Sequence, residues 1–512
     1  LYKHSRKNKT EIYNQPSQTP TDGLSDSLEQ NEALFRELLK DDDTIIYRHF
    51  MNQRDTDMRC CAIFANGMVN DKIINENIIW PVTSYRREKK DRLTLDVLQT
   101  RVIIADDVKR TAELDKLIEA LNYGNTILLF DGATEALIIS SQGWEKRAIT
   151  EPEIEKTLRG PKEGFTESFL TNLSMIRRKL NTEHQLKFKI KVLGSRARTR
   201  VCICYIEGLA NKAILAELEK RLDKINIDGL LDTGYIAEFI KDAPLSPFKT
   251  IGSTERPDIV SAKLLEGRVA LILDGSPVAI TLPHIFIEYF QASDDYYLNF
   301  FFASINRIIR IVSFIFTISV PAIYLALTTF HQEIIPTSLL LSISAARQGV
   351  AFPTIIELLL LGLAFEILRE AGVRMPTTIG EALSIVGALI LGQAAVEARL
   401  VSAPMVIVTG LTAVTGLMIP RLSGAIIILR FIFVIFSTFI GFYGYIFGVF
   451  GLLIHLFQIR SFGVPYMTPL NSSHLQDIKD TAFRAPWWYM KNRPKFIGAL
   501  NRLRQSKKPS SG

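Results

Sequence analysis

The sequence predicts an α+β soluble region of two related α/β subdomains, followed by an all-α polytopic membrane domain. Charged residues crowd the N-terminal part and the last stretch of the chain, and become sparse between Ile308 and Phe457. Two segments of the soluble part recur later in it at nearly one spacing. Long uncharged runs, several about the length of a bilayer crossing, fill the region from Ile311 onward.

The 512 residues carry a net charge of +7, much of it after Asn471, where Lys479, Arg484, Lys491 and Arg493 lead a basic run. Beside a membrane such a run reads as an anchor on the cytoplasmic, anionic face, and no nucleic-acid partner is expected. The chain divides into a polar tail over 1–30 that reads as disordered, a first α/β subdomain over 31–150 and a connector over 151–175. A second α/β subdomain over 176–300, a transmembrane domain of four to six helices over 301–460 and a basic cytoplasmic tail over 461–512 complete it.

The repeat comes first. Positions 62–74 read AIFANGMVNDKII and positions 203–215 read ICYIEGLANKAIL, an offset of 141, with Gly67, Asn70 and Ile73 matched by Gly208, Asn211 and Ile214. Positions 124–138 (GNTILLFDGATEALI) and 267–281 (GRVALILDGSPVAIT) follow in the same order at an offset of 143. Each first segment predicts strand, turn and helix start. Each second segment predicts a hairpin turning at Asp131-Gly132 or Asp274-Gly275. The clearest helices are Lys212–Leu222 and Glu113–Leu121.

No phosphate-binding loop, dinucleotide fingerprint, nucleophile elbow or H-E-x-x-H pair occurs, so neither an enzyme nor a cofactor is expected. Cys60, Cys61, Cys202 and Cys204 lack zinc-like spacing and read as core thiols, with no metal expected.

Ile311–Phe330 is uncharged and spans a hydrocarbon core of about 30 Å. Arg307 and Arg310 place its start on the cytoplasmic side, and Pro321 predicts a kink. Thr337–Ala346 is too short to cross, and reads as interfacial or re-entrant. Thr354–Arg369 is apolar but carries Glu357, Glu366 and Arg369, which must face protein or water because a central charge costs about 3 kcal/mol. Leu400–Pro420 is a further span. Leu422–Phe457, whose one charge is Arg430, is long enough for two helices, broken near Gly441, Gly444, Gly448 and Gly451. The count comes to six crossings, or four if two are re-entrant, and both termini lie on one side.

Gly380–Ala398 is the most telling segment. Gly380, Ser384, Ala388 and Gly392 recur every fourth residue and form a stripe open to close helix approach, while Gln393 and Glu397 share another face. Its uncharged stretch is only about 22 Å long between Glu381 and Glu397. Small residues with carboxylates at both ends suit a cation-selective pore lining, and equally an ordinary packed membrane helix.

Six motifs point to a family. They are Thr254-Glu255-Arg256-Pro257-Asp258, Arg159-Gly160-Pro161 followed by Phe165, Ser246-Pro247-Phe248, Leu368-Arg369-Glu370-Ala371-Gly372, Gly392-Gln393-Ala394-Ala395-Val396-Glu397-Ala398 and Ser461-Phe462-Gly463-Val464-Pro465-Tyr466. Over roughly residues 60–470 the chain closely resembles the A-subunit family of bacterial spore germinant receptors (GerA/GerKA type). The resemblance implies an integral protein of the spore inner membrane with both termini in the spore core. It implies a transporter-like, nutrient-binding B subunit and a lipoprotein C subunit as partners. It also implies a homo-oligomer forming a nutrient-gated cation channel that starts germination, with the pore role falling on Gly380–Ala398. The alternatives are a secondary transporter, against which the lack of a repeat among membrane segments counts, and a relative acting with the dipicolinic-acid release machinery.

Overall fold

The structure, a computed structural model, describes residues 23–54, 58–86, 95–143, 151–152, 155–157, 159–182, 184–374, 392–468, 470, 479–494, 497–499, 501 and 503–504. In its first part, strands β1 (Ile45–Met51), β2 (Arg59–Ala65), β3 (Val108–Thr111), β4 (Thr126–Phe130) and β5 (Ala136–Ile139) form an antiparallel sheet in the order β1-β2-β4-β5-β3. Strands β6 (Leu186–Leu193), β7 (Thr199–Ile206), β8 (Gly252–Thr254), β9 (Val269–Leu273) and β10 (Ala279–Leu282) form a second sheet in the matching order, β6-β7-β9-β10-β8. Register repeats as well: Cys61 pairs with Leu129 and Cys202 with Ile272. Both hairpin turns hold their glycine in the left-handed region, at φ 84° for Gly132 and 86° for Gly275, where a Cβ would be strained.

Each sheet is covered on both faces, which is why β2, β4, β7 and β9 read as unbroken apolar runs. Along β2, Cys61 and Ile63 face Phe35 of α1 (Leu28–Leu38) and Leu117 of α2 (Leu114–Asn122), while Cys60 and Ala62 face Ile74, Ile78 and Leu98. In the second copy, α3 (Phe169–Leu180) covers one face, and α4 (Lys212–Leu222) and α5 (Thr233–Ile240) the other; α6 (Pro257–Leu265) joins α3. All four cysteines are buried and free, and burial pushes the Cys60 and Cys61 thiols up to about 12.

Two boundaries differ from the sequence reading. Residues 23–30 are packed, because Leu24 and Leu28 lie buried in the same cluster as Phe35; residues 1–22 lie outside the described residues. Helix α3 starts at Phe169, inside the stretch read as connector.

The two subdomains are joined by a buried ionic contact. Arg177 of α3 donates to the Asp42 carboxylate at 2.7 Å and to Asn122 at 3.2 Å, with Arg177 and Asp42 side chains 4% and 3% exposed. The Asp43 amide donates to the Phe188 carbonyl at 3.0 Å beside them.

After β10 the chain passes through Phe286–Phe290 into α7 (Phe300–Thr329), followed by α8 (Thr337–Arg347), α9 (Thr354–Arg374), α10 (Ala403–Leu417), α11 (Ser423–Ile440) and α12 (Phe442–Gln458). Phe300–Thr329 and the stretch Pro420–Ile440 are long and apolar enough to cross a membrane; α10 and α12 are apolar but shorter, at 15 and 17 residues. The expected break in the last apolar run falls at Gly441, φ 64°. Beyond it α12 doubles back on α11 so closely that a Cβ on Gly444 would collide with the Phe436 carbonyl oxygen, and one on Gly448 would lie 3.0 Å from the Phe433 ring. The soluble half meets one end of the bundle, through Arg421, His455 and Ser461. The opposite end gathers His331 with Gly441 and Gly349 with Arg399.

Arg177→Ala would strand the buried Asp42 carboxylate, and should lower stability by about 3–5 kcal/mol. Thermal unfolding of the full chain checks this, with Arg177→Met/Asp42→Asn recovering most of the loss; a single variant that melts with wild type would remove this contact as the fastening.

Candidate functional site

Helix α9 sets Glu357, Glu366 and Arg369 into its apolar stretch, ahead of a Glu370–Arg374 pair at its end. Glu366 and Arg369 stand one turn apart and meet at 2.6 Å, and Arg430, reaching across from α11, donates to the other Glu366 oxygen at 2.8 Å. The structure thus unites three of the four predicted intramembrane charges in one carboxylate–guanidinium cluster. Its side chains are 14–32% exposed and line a cavity of about 50 Å³ with Thr317, Thr409 and Thr412. That is polar and roomy enough for water. A charge at bilayer centre costs about 3 kcal/mol, and the pairing offsets that cost for both signs.

Glu357 stands apart and is fully buried. Its carboxylate accepts from the Ser402 amide at 2.8 Å and hydroxyl at 2.7 Å, and its other oxygen lies 3.7 Å from Arg347 Nε. Ser402 precedes the first residue of α10, so Glu357 is an anion set at a helix N-terminus. Ser402 and Arg347 were missed from sequence; a serine just before an Ala-Pro helix start was the available signal for the first.

Of the pore candidates, Gly380, Glu381, Ser384 and Ala388 lie outside the described residues, whereas Gly392, Gln393 and Glu397 belong to helical residues 392–397. Gly392 is buried against α10, where an added Cβ would sit 3.4 Å from Val406. Gln393 and Glu397 point away from that contact: both are exposed, and the Gln393 amide donates to the Glu397 carboxylate at 3.0 Å. Among the described residues Glu397 meets no cation, unlike Glu357, Glu366 and Glu370. It stands near Arg399, at the end of the bundle away from the soluble half.

In the soluble half Glu32, His49 and Cys61 bring ligand-type atoms within 4.8 Å of one another. Arg36 already pairs with Glu32 at 2.6 Å, and burial keeps the Cys61 thiol protonated, so the trio reads as an ion pair over a core thiol.

A model of the Bacillus/Clostridium GerA spore germination protein family matches residues 33–496. Spore germination protein KA of Bacillus subtilis (strain 168) is 42% identical, over 94% of this chain and 89% of its own. Spore germination protein GerLA of Bacillus cereus is 36% identical, over 86% of this chain and 89% of its own. The crystal structure of the N-terminal domain of the A subunit of the Bacillus megaterium spore germinant receptor GerK3 is 28% identical with a TM-score of 0.38, covering 52% of this chain and 97% of that one.

Glu366→Gln would leave Arg369 and Arg430 without an anion in the apolar bundle, at a cost of about 3 kcal/mol. The expected result is a melting temperature several degrees lower in detergent, largely restored by adding Arg430→Gln; equal melting of the single variant and wild type would show that the cluster is solvated rather than paired.

Proposed function

The chain belongs to the GerA family of spore germination proteins, and from that premise we propose that it is the A subunit of a nutrient germinant receptor in the spore inner membrane, working as an oligomeric, ligand-gated cation channel. The observation that carries the conduction reading is the exposed Glu397 carboxylate, without a cation among the described residues, on a small-sided segment at the end of the bundle. An unpaired carboxylate facing lipid is expensive; the same group repeated around a ring in water attracts cations. The packing of Gly392 against Val406, with Gln393 and Glu397 exposed, supports a reading in which the carboxylate side of the segment faces a water path. In this reading the small residues Gly380, Ser384 and Ala388 form the helix-packing stripe and Glu381 is the second flanking carboxylate, all four lying outside the described residues. The B subunit, transporter-like and nutrient-binding, and the lipoprotein C subunit complete the receptor, both termini lie in the spore core, and release of monovalent cations starts germination.

Planar-bilayer recording tests conduction. Cation current is expected from the assembled receptor, reduced about tenfold in selectivity or conductance by Glu397→Gln and blocked by Gly392→Leu. Saturable uptake without current would indicate a transporter instead. Ser384→Leu and Ala388→Leu should impair assembly or nutrient-triggered germination of spores; normal germination in both would rule out the stripe as an interface.

A further inference from the structure

The second subdomain, the bundle and the C-terminal tail meet around a cavity of about 180 Å³. For scale, an engineered protein cavity of about 150 Å³ binds benzene. Helix α6, edge strand β8 and the segment leading to α7 supply most of the wall; Arg421 comes from the turn before α11, and Trp487 and Arg504 from the tail.

The charges around this cavity do not balance. Asp258 is held by Arg256 at 2.9 Å and by the Tyr297 hydroxyl at 2.7 Å. Glu288 is held by Arg268 at 2.6 Å and Lys263 at 2.7 Å, and Glu266 by Arg268 at 3.3 Å. Glu155, at the rim, takes Arg421 at 2.6 Å. Each carboxylate therefore has a cation, and Arg504 is left over: among the described residues it meets no carboxylate, and its guanidinium lies 5.0 Å from the Trp487 ring centroid. The rings of Tyr296, Tyr297 and Trp487 also line the space.

We propose that this cavity binds a small carboxylate with a planar apolar body. The carboxylate would pair with Arg504 and Arg421, whose planar guanidinium groups match it bidentately. The body would lie among the three aromatic rings, an arrangement typical of small-molecule sites. Because its contacts come from the soluble half, the bundle and the tail together, such a ligand favours whichever relative placement of the three it fits best, and couples them. It competes with Glu155 for Arg421, the ion pair that ties the connector to the bundle. The proposal does not rest on conduction, since its readout is binding.

Benzoate titrated into the full-length protein in neutral detergent, followed by calorimetry, should bind saturably. Arg504→Ala should weaken binding about tenfold or more. Ala262→Leu, which fills the cavity without touching a charge, should do the same, and Arg504→Lys should lose less than Arg504→Ala. Glu155→Gln, which frees Arg421, should tighten binding. The proposal is overturned by no saturation below about 10 mM, by one affinity across all variants, or by inorganic phosphate binding as well as benzoate.

Discussion

The second subdomain and the membrane bundle share one apolar core. Phe248, Phe286, Phe290 and Phe314 link β-sheet side chains to α7 through ring contacts of 5.4–5.8 Å, and Tyr466, beyond α12, closes on Phe286 at 6.1 Å. A core of this kind is close-packed, so neither part can shift without repacking the other. The first subdomain, joined through Arg177 and Asp42, is carried along with the second. A displacement of the soluble half would therefore require the bundle to repack with it.

That constraint gives the family motifs a physical meaning, because four of the six gather at this junction. Arg256, fully buried, donates to the carbonyl of Pro161, to the Thr157 hydroxyl and to Asp258, gripping the connector. Thr254 donates to Glu155 at 2.5 Å, and Glu155 in turn meets Arg421. Ser246 pairs with His455 at 2.9 Å, and the Ser461 hydroxyl donates to the Thr250 carbonyl at 2.6 Å. The remaining two motifs, around Leu368 and Gly392, belong to the bundle itself.

Charge is handled alike at the base of the bundle and inside it. Arg307 and Asp295, both wholly buried, meet at 2.8 Å, and Asp480 of the tail joins Arg307 at 2.6 Å. The tail therefore has a second use besides any contact with lipid: it supplies a counter-ion to the helix that enters the membrane. Glu366 plays the corresponding part for Arg430. In each case pairing offsets part of the cost of holding a charge out of water. Among the described residues, the exposed Glu333 and Glu397 at the far end are carboxylates without such a partner.

The duplication was legible from four short segments, because strands buried on both faces and turns needing a left-handed glycine restrict residue choice tightly. The break at Gly441 was legible for the same reason, and so was the Glu366–Arg369 pair, since helical spacing alone puts those residues together. The edge strands β1, β3, β6 and β8 were not separately legible, being short or half-exposed and so only weakly patterned. Nor was the tail's return to the second subdomain, nor Arg430 as the partner of Glu366, nor Ser402 as the ligand of Glu357. Composition and period by themselves determined which parts of this chain suit water and which suit lipid, and that the soluble part is doubled. Which distant charges neutralise one another, and that Arg504 among the described residues is left over beside a cavity, depended on tertiary packing, because ion pairs form between residues that sequence distance does not relate.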